Sequence, residues 1–306
     1  MSIEFKKSMM ARILLILSVL LSTCAVAMAQ DTILGVLEDN TGHYAGDLTF
    51  RSVRTVFAKN GGDWRPLADD CRDQKCLITV TAQYPRQLTW TVSFDGRNLG
   101  QVTSRTPDDF RWYSSIGQGE IVSNGPVPTV GKRSIEFSAY GAPLYRPLVT
   151  NTKPYYKDPD AWKPISPSQD LTKRLRQEFR QHYPKLCRTS KADESKLEPF
   201  AYRDEDVEVV KAYTSKRGLS VARMHLQAIE CNDIEAGFDI EDPWFVVDVR
   251  GSLRYLDAGM WLVDAGDYDN DGQSEVLFSL SSDNVGGYEL FYDDFTRRAR
   301  FQFNYH

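Results

Sequence analysis

The feature that most constrains the fold is a succession of short runs in which β-branched and aromatic residues alternate with polar ones. Such runs, bounded by Gly, Pro, Asn and Asp, are typical of half-buried β-strands. They occupy much of residues 32–140 and return after residue 206, and Asp95-Gly96 is a turn signal for a β-hairpin. The pattern therefore predicts a mostly β (α+β) protein built from antiparallel sheets.

One segment departs from this pattern and predicts a helix over residues 168–183. Apolar side chains recur at every fourth position along one face: Leu171, Leu175, Phe179 and Tyr183. Ser168 is suited to cap the amino end, and Pro184 ends the helix. The remaining surface carries a basic set: Lys173, Arg174, Arg176 and Arg180. A solvent-exposed face is the simpler interpretation of these charges, and an anionic partner is the alternative.

Six prolines interrupt any regular pattern between residues 141 and 167. Proline lacks a backbone donor and is excluded from helix interiors, so this stretch is predicted to be an extended connection. The sequence thus predicts an N-terminal antiparallel β domain over residues 30–140, the connection over 141–167, and a helix plus β region over 168–306.

Residues 1–29 have the layout of a secretory signal peptide, with basic residues before the apolar run "ILLILSVLL" and a cleavage site at Ala27-Met28-Ala29. The apolar run is shorter than the about 20 residues that a membrane-spanning helix needs. We therefore expect an exported protein, periplasmic or secreted, with no transmembrane segment in the mature chain. A lipoprotein anchored through Cys24 is the alternative.

Charge and cysteine content restrict the partners and the compartment. The net charge of −5 argues against a nucleic-acid partner, because such proteins present a basic surface. Removal of the signal peptide leaves four cysteines, an even number that favours disulfides in an exported protein. The predicted pairs are Cys71–Cys76 and Cys187–Cys231, and four free thiols are the alternative.

An acidic loop, "DAGDYDNDGQSE" at residues 264–275, lies between the strand-like runs "GMWLV" and "VLFSL". Calcium accepts six to eight oxygen ligands in flexible geometry, and Gly272 permits the tight bend that turns several carboxylates inward. Magnesium fits less well because it requires near-octahedral geometry. The loop therefore predicts a Ca²⁺ site, and an acidic turn without an ion is the alternative. The acids at the site are Asp267, Asp269, Asp271 and Glu275.

The pattern D-x-D-x-D-G-x-x-E between two strands, beginning at Gly266-Asp267, resembles the calcium loop of FG-GAP repeats. These repeats, also called VCBS repeats, are known from integrin α-chain β-propellers and from many exported bacterial proteins. The loop differs from an EF-hand, which requires a Glu where this chain has Phe278. The resemblance covers one copy at residues 259–294 and implies a β-propeller-like blade. It also implies side-chain ligands from the four acids and a backbone carbonyl ligand from Gln273.

The sequence contains no arrangement that predicts catalysis, since its four histidines lack metal-ligand spacing and no nucleophile motif fits its context. The predicted protein therefore binds calcium and acts as a binding or structural module, and its partner is an unknown protein or glycan. The alternative is an extracytoplasmic, glycan-directed hydrolase whose carboxylate pair comes from distant segments. Most of the six tryptophans lie in strand-like runs and are expected in the core, and Trp64 and Trp162 are the candidates for exposure.

Overall fold

The computed structural model describes residues 32–38, 52–67, 75, 86–106, 116–128, 146–152, 155–191, 196–231, 242–282 and 285–304. The predicted signal peptide and Cys24 lie outside the described residues. Within them, the chain is mostly β with a single α-helix, which confirms the predicted fold class.

The strands of the first part of the chain are β1 (Thr32–Glu38), β2 (Ser52–Asn60), β3 (Asp63–Pro66), β4 (Gln87–Phe94), β5 (Arg97–Arg105), β6 (Gln118–Ile121), β7 (Leu148–Thr150) and β8 (Lys163–Pro164). The helix α1 (Gln169–His182) follows, and a short 3-10 helix spans Asp204–Asp206. The later strands are β9 (Leu186–Thr189), β10 (Leu197–Pro199), β11 (Glu208–Thr214), β12 (Ser220–His225), β13 (Ile229–Glu230), β14 (Trp244–Val247), β15 (Leu253–Asp257), β16 (Met260–Gly266), β17 (Glu275–Ser282), β18 (Val285–Tyr292) and β19 (Arg297–Asn304).

The N-terminal sheet has seven strands in the order β1-β7-β4-β5-β6-β2-β3, and β1 also pairs with β2. Six of these strands therefore form a closed ring, in which every pairing is antiparallel. Alternate residues of β1 belong to different clusters: Ile33 and Leu37 pack with Trp90, whereas Leu34 and Val36 pack toward another sheet. Since both sides of β1 are covered, all seven of its residues are buried.

The C-terminal sheet is a four-stranded antiparallel meander, β16-β17-β18-β19. One face contributes Leu277 and Phe301 to a cluster shared with the ring sheet. The other contributes Phe278 and Phe291 to a cluster that contains Trp244 of β14. This sheet is therefore a middle layer with clusters on both sides, and all but one of the eight residues of β18 are buried.

The third layer is a five-stranded sheet, β15-β14-β12-β11-β8, with α1 on its outer face. Leu175 and Phe179 of α1 are fully buried against residues such as Met224 and Phe245. The side chain of Ser168 accepts a hydrogen bond from the backbone N–H of Leu171 at 3.2 Å. The predicted helix and its cap are thus confirmed.

Much of the basic face of α1 is engaged within the chain. Arg174 donates to the carbonyl of Gly251, and Arg176 donates to that of Val207 at 3.0 Å. Arg180 forms an ion pair with Asp204 at 2.7 Å. These contacts favour a structural role for the face over an anionic partner. Across the described ranges, no helix has the length and apolar character needed to cross a membrane.

A small three-stranded sheet, β10-β9-β13, carries the disulfide. Cys187 of β9 is bonded to Cys231, with their Cα atoms 4.9 Å apart. This confirms one predicted pair. Cys71 and Cys76 lie outside the described residues, so the second pair stays a prediction.

A buried polar network joins the ring sheet to the C-terminal sheet. The carboxylate of Glu38 accepts hydrogen bonds from Arg54 at 2.8 Å, from the Tyr288 hydroxyl at 2.7 Å and from Gln118 at 3.1 Å. Burial alone would raise the pKa of Glu38, but the charges of Arg54 and Arg146 and these hydrogen bonds outweigh it. The pKa of Glu38 is therefore lowered, and the group is ionised inside the core.

The described parts of the predicted connection, residues 146–152 and 155–167, do not run free of the sheets. They contribute β7 to the ring and β8 to the five-stranded sheet. One core cluster also contains Leu34 and Phe301, which come from opposite sides of the predicted boundary. The division into domains stays a prediction, although this cluster joins the ring sheet to the C-terminal sheet.

Candidate functional site

The acidic loop connects β16 to β17, and the pairing of Gly266 with Glu275 closes it at its base. Two residues of the loop adopt left-handed backbone conformations, Asn270 with φ of 63° and Gly272 with φ of 93°. Glycine adopts this conformation without steric cost and Asn tolerates it better than most residues, so the sequence suits the tight bend. The loop is therefore a turn of a β-meander and not part of a helix pair, as predicted.

Three of the predicted ligands come together. Carboxylate oxygens of Asp267, Asp269 and Glu275 all lie within 4.8 Å of one another, and Asp267 and Glu275 are buried. Calcium–oxygen distances of about 2.3–2.6 Å place ligands on opposite sides of an ion about 5 Å apart. The donor set and its spacing therefore fit a hard divalent cation.

The other two predicted ligands are placed differently. The Asp271 side chain is 38% exposed, and one of its oxygens accepts the Gln273 N–H at 2.9 Å. Gln273 itself is exposed. Neither residue belongs to the group of three, so their role as ligands stays a prediction.

Backbone N–H groups hold the inward-facing carboxylates in place. Asp267 accepts hydrogen bonds from the N–H groups of Asp271 and Gly272, both at 2.9 Å, and Glu275 accepts one from Tyr268 at 2.8 Å. Burial and the neighbouring charge of Asp269 raise the pKa of Glu275 well above its ordinary value. Burial likewise raises the pKa of Asp267. The site is thus a preformed group of crowded acids.

A lysine from the ring sheet acts as an internal counter-ion that the sequence analysis did not find. The Nζ of Lys59, on β2, donates to Asp269 and also to Asp271 at 3.2 Å. Burial lowers the pKa of Lys59, but the hydrogen bonds and charges of the two aspartates outweigh this and raise it. Lys59 and Asp269 are 210 residues apart in sequence, so no local pattern could have joined them.

Trp64 also reaches the loop. Its indole Nε1 on β3 donates to a carboxylate oxygen of Glu275 at 3.4 Å, a long hydrogen bond. The residue is only 3% exposed, so the prediction of an exposed Trp64 is wrong. Trp64 belongs to the hydrophobic cluster that the ring sheet shares with the C-terminal sheet. Trp162, by contrast, is partly exposed.

The chain segment 155–162 clamps the loop from the other side. The N–H of Asp267 donates to the carbonyl of Lys157 at 2.6 Å, and the Ser274 hydroxyl donates to Asp158 at 2.7 Å. The N–H of Ser274 donates to Asp160 at 3.2 Å. The carboxylate of Asp160 in turn accepts two hydrogen bonds from the Arg217 guanidinium, at 2.6 and 2.8 Å. The loop is thereby fixed to the proline-rich connection.

A cleft of about 270 Å³ lies beside this clamp. Asp158 and Trp162 form part of its wall, together with Asp264, the first acid of the predicted loop. Asp264 accepts hydrogen bonds from the Tyr156 hydroxyl and from the N–H of Asp95 at 2.9 Å, so it is not a member of the metal group. Burial raises the pKa of Asp264 to about 7, against these hydrogen bonds.

No family model, curated protein or solved structure matches the chain. The resemblance of residues 259–294 to an FG-GAP repeat therefore rests on the loop residues alone. Any statement about function has to be argued from the chemistry of the acidic loop and of the cleft beside it.

Proposed function

We propose that this is an exported calcium-binding β protein that acts as a binding or structural module, with residues 259–294 as one FG-GAP-like repeat. The observation that carries the proposal is the convergence of oxygens from Asp267, Asp269 and Glu275 within 4.8 Å. All three are hard oxygen donors, which is the chemistry that calcium selects. The four-stranded meander that contains the loop has the strand order of one propeller blade.

The charge of the site supports a divalent ion. The predicted site has four carboxylates, and Lys59 supplies one positive charge through Asp269 and Asp271. Three formal negative charges remain uncompensated in a partly buried space, where like charges repel strongly. A calcium ion would reduce this excess to a single negative charge.

The contacts of the loop indicate what such an ion would stabilise. Asp267 bridges to Lys157, and Ser274 is bonded to Asp158 and Asp160, so the loop and the segment 155–162 are held as one unit. Fixing the carboxylates of the loop would therefore also fix this segment, which forms one wall of the cleft. The ion would have a structural role next to a binding surface.

Export is proposed on two independent grounds. Residues 1–29 have the layout of a signal peptide. The disulfide between Cys187 and Cys231 is typical of proteins that fold in an oxidising compartment. Fractionation of expressing cells should place the mature protein outside the cytoplasm, and a cytoplasmic protein of full length would contradict this.

The experiment that tests the metal site is a thermal melt of the protein in EDTA, in millimolar calcium and in millimolar magnesium. We expect calcium to raise the melting temperature more than magnesium does, because an ion that binds only the native state stabilises it. The variant D269N should lose this calcium-dependent rise. The matched control D170N, on the exposed first turn of α1, should keep it. Equal melting in EDTA and calcium would contradict the proposal.

A second candidate function, hydrolysis of a glycan, has one observation in its favour. Asp264 has a raised pKa and lines an aromatic cleft together with Asp158, as a general acid would. However, both carboxyl groups already accept hydrogen bonds on both oxygens, from Tyr156, Ala265, Trp162 and Ser274 among others. This favours binding over proton transfer. If the wild type released the chromophore from aryl glycosides and D264N did not, hydrolysis would be supported instead.

A further inference from the structure

The cleft beside the calcium loop is built from three of the sheets. Its walls come from the β4–β5 turn of the ring sheet, from β8, β11, β12 and β14 of the five-stranded sheet, and from β16 of the C-terminal sheet. Its volume of about 270 Å³ is near the lower end of the about 300–1,000 Å³ usual for ligand pockets. The space therefore suits a small ring rather than an extended chain.

Three aromatic side chains of the cleft are partly exposed, namely Trp162, Tyr213 and Trp261. Trp244 lies behind them, is 1% exposed and donates its Nε1 to the carbonyl of Met260 at 2.9 Å, so it is a core residue. An aromatic ring left partly open in a concave wall offers an apolar face to a ligand. Such a face is complementary to the C–H face of a sugar ring.

The polar groups of the cleft are balanced in sign, with three acids and three bases: Asp95, Asp158, Asp264, Arg97, Lys211 and Arg223. Two of the bases already have acidic partners. Arg223 pairs with Asp242 at 2.6 Å, and Arg97 pairs with Asp95 at 3.3 Å. The charges are thus largely compensated within the chain, while among the described residues the Nε of Arg223 has no hydrogen-bond partner and the Oδ1 of Asp264 accepts a single hydrogen bond, from Ala265. This arrangement favours a neutral ligand that is rich in hydroxyl groups.

From these features we propose that the cleft binds one ring of a neutral saccharide, which stacks on Trp261 while its hydroxyl groups bond to Arg223 and Asp264. The Arg223 guanidinium carbon lies 6.0 Å from the centre of the Trp261 ring, so a planar donor and an aromatic face adjoin each other. The proposal names the ligand class of the binding module and in that respect rests on the proposed function.

The state of Asp264 supports a neutral ligand over a cationic one. Burial raises its pKa to about 7, so the uncharged carboxyl is accessible near neutral pH. An uncharged carboxyl both donates and accepts hydrogen bonds with a hydroxyl group, but it gives no ion pair to an ammonium group. The cleft is therefore better matched to a polyol than to an amino acid.

The test is saturation-transfer NMR of the full chain with glucose, galactose, mannose and N-acetylglucosamine at millimolar concentration. We expect at least one of the four to bind, and W261A to weaken that binding about tenfold or more. F200A, which removes a partly exposed ring outside the cleft, should bind as the wild type does. Near-UV circular dichroism checks that each variant is folded.

Because W261A removes a large side chain from a strand and could disturb the fold, R97A provides a second test of saccharide binding. The Arg97 side chain is 71% exposed on a hairpin turn, so its loss leaves the fold intact. Arg97 lines the cleft and offers further guanidinium donors to a hydroxyl group, so we expect R97A to weaken binding of the same saccharide severalfold.

The proposal would be overturned if none of the four sugars showed saturation transfer from the protein. It would also be overturned if the wild type, W261A and R97A bound the sugar equally well. Binding of phenylalanine in place of the sugars would overturn it too. The calcium-dependent melt is a separate readout. A protein that binds saccharide without a calcium shift contradicts only the metal site, and the reverse result contradicts only this proposal.

Discussion

Replacing Lys59 by Met would distinguish the two proposed counter-ions of the acidic loop, the ammonium group of Lys59 and a bound calcium ion. The substitution keeps the length of the side chain along β2 and removes the only ammonium group that the described residues place on Asp269 and Asp271. Without it, the carboxylates of the loop face one another with no internal counter-ion. The stability of the variant should then depend on a bound metal more strongly than that of the wild type.

The size of the effect follows from burial. The Asp269 side chain is 3% exposed and that of Lys59 is 20% exposed, so the pair is largely desolvated. Removing one partner of a buried pair costs about 3–5 kcal/mol, and the partial exposure of Lys59 puts this case near about 3 kcal/mol. At about 2–4 °C per kcal/mol for a chain of this size, the melting temperature in EDTA should fall by about 6–12 °C.

Calcium should recover most of this loss. A ligand at about 100 times its dissociation constant stabilises the native state by about 2.7 kcal/mol, and the ion no longer competes with an ammonium group in K59M. The assay is a melt of wild type, K59M and K173M in EDTA and in calcium, where Lys173 is an exposed lysine of α1. K173M should melt as the wild type does, within about 0.5 kcal/mol. An equal fall of K59M in EDTA and in calcium would refute the reasoning, because calcium would then not replace the positive charge that Lys59 supplies.

Three further predictions concern the fold that carries the site. Replacing Cys187 and Cys231 by Ser should lower the free energy of unfolding by about 4 kcal/mol, since the bond closes a loop of 44 residues, and urea unfolding measures this. The lowered pKa of Glu38 contributes stability above pH 4.5, the ordinary pKa of the group, and this stability is lost as the pH falls below that value. The difference in unfolding free energy between wild type and E38Q should therefore shrink from pH 7 to pH 3. A constant difference would contradict this. A Cβ at Gly287 would lie 2.2 Å from the backbone of β19, so G287A should prevent the pairing of the last two strands. A Cβ at Gly125 would meet no atom within 4 Å, so G125A should be tolerated. Thermal melts of the two variants compare these effects.

The sequence was sufficient to predict the elements whose local pattern agrees with their surroundings. Ser168 and the apolar face of α1 form one amphipathic helix, and the largely apolar sequence of β18 agrees with a sheet that has clusters on both sides. In these places propensity, periodicity and burial all favour the same structure. The acidic loop was found for the same reason, since its glycine and its alternating acids lie within nine residues of one another.

The misses have physical causes. The sequence pattern did not indicate β10 (Leu197–Pro199), because three residues that pair with β9 leave almost no periodicity to detect. β8 contains Pro164, yet it lies at the edge of its sheet, where a missing N–H group breaks no ladder. β5 is mostly polar or exposed and therefore shows no alternation.

The site was predicted only in part because its remaining members come from distant segments. Lys59 and Trp64 reach the loop from the ring sheet, and Asp158 and Asp160 reach it from the proline-rich connection. Each is unremarkable in its own stretch of sequence. Their convergence depends on the packing of the C-terminal sheet between the other two, which no window of neighbouring residues encodes.

The hydrogen bond from Tyr288 to Glu38 has a consequence for how the protein is made. It joins residues 250 positions apart, and the cluster around it includes side chains of both β1 and β19. Contacts of such long sequence separation form slowly, and a nascent chain cannot complete this core before β19 has left the ribosome. Until then the apolar outer side of β1 has no cover. A chain synthesised only as far as β18 would thus remain available to chaperones, and this core would form only after β19 has been synthesised.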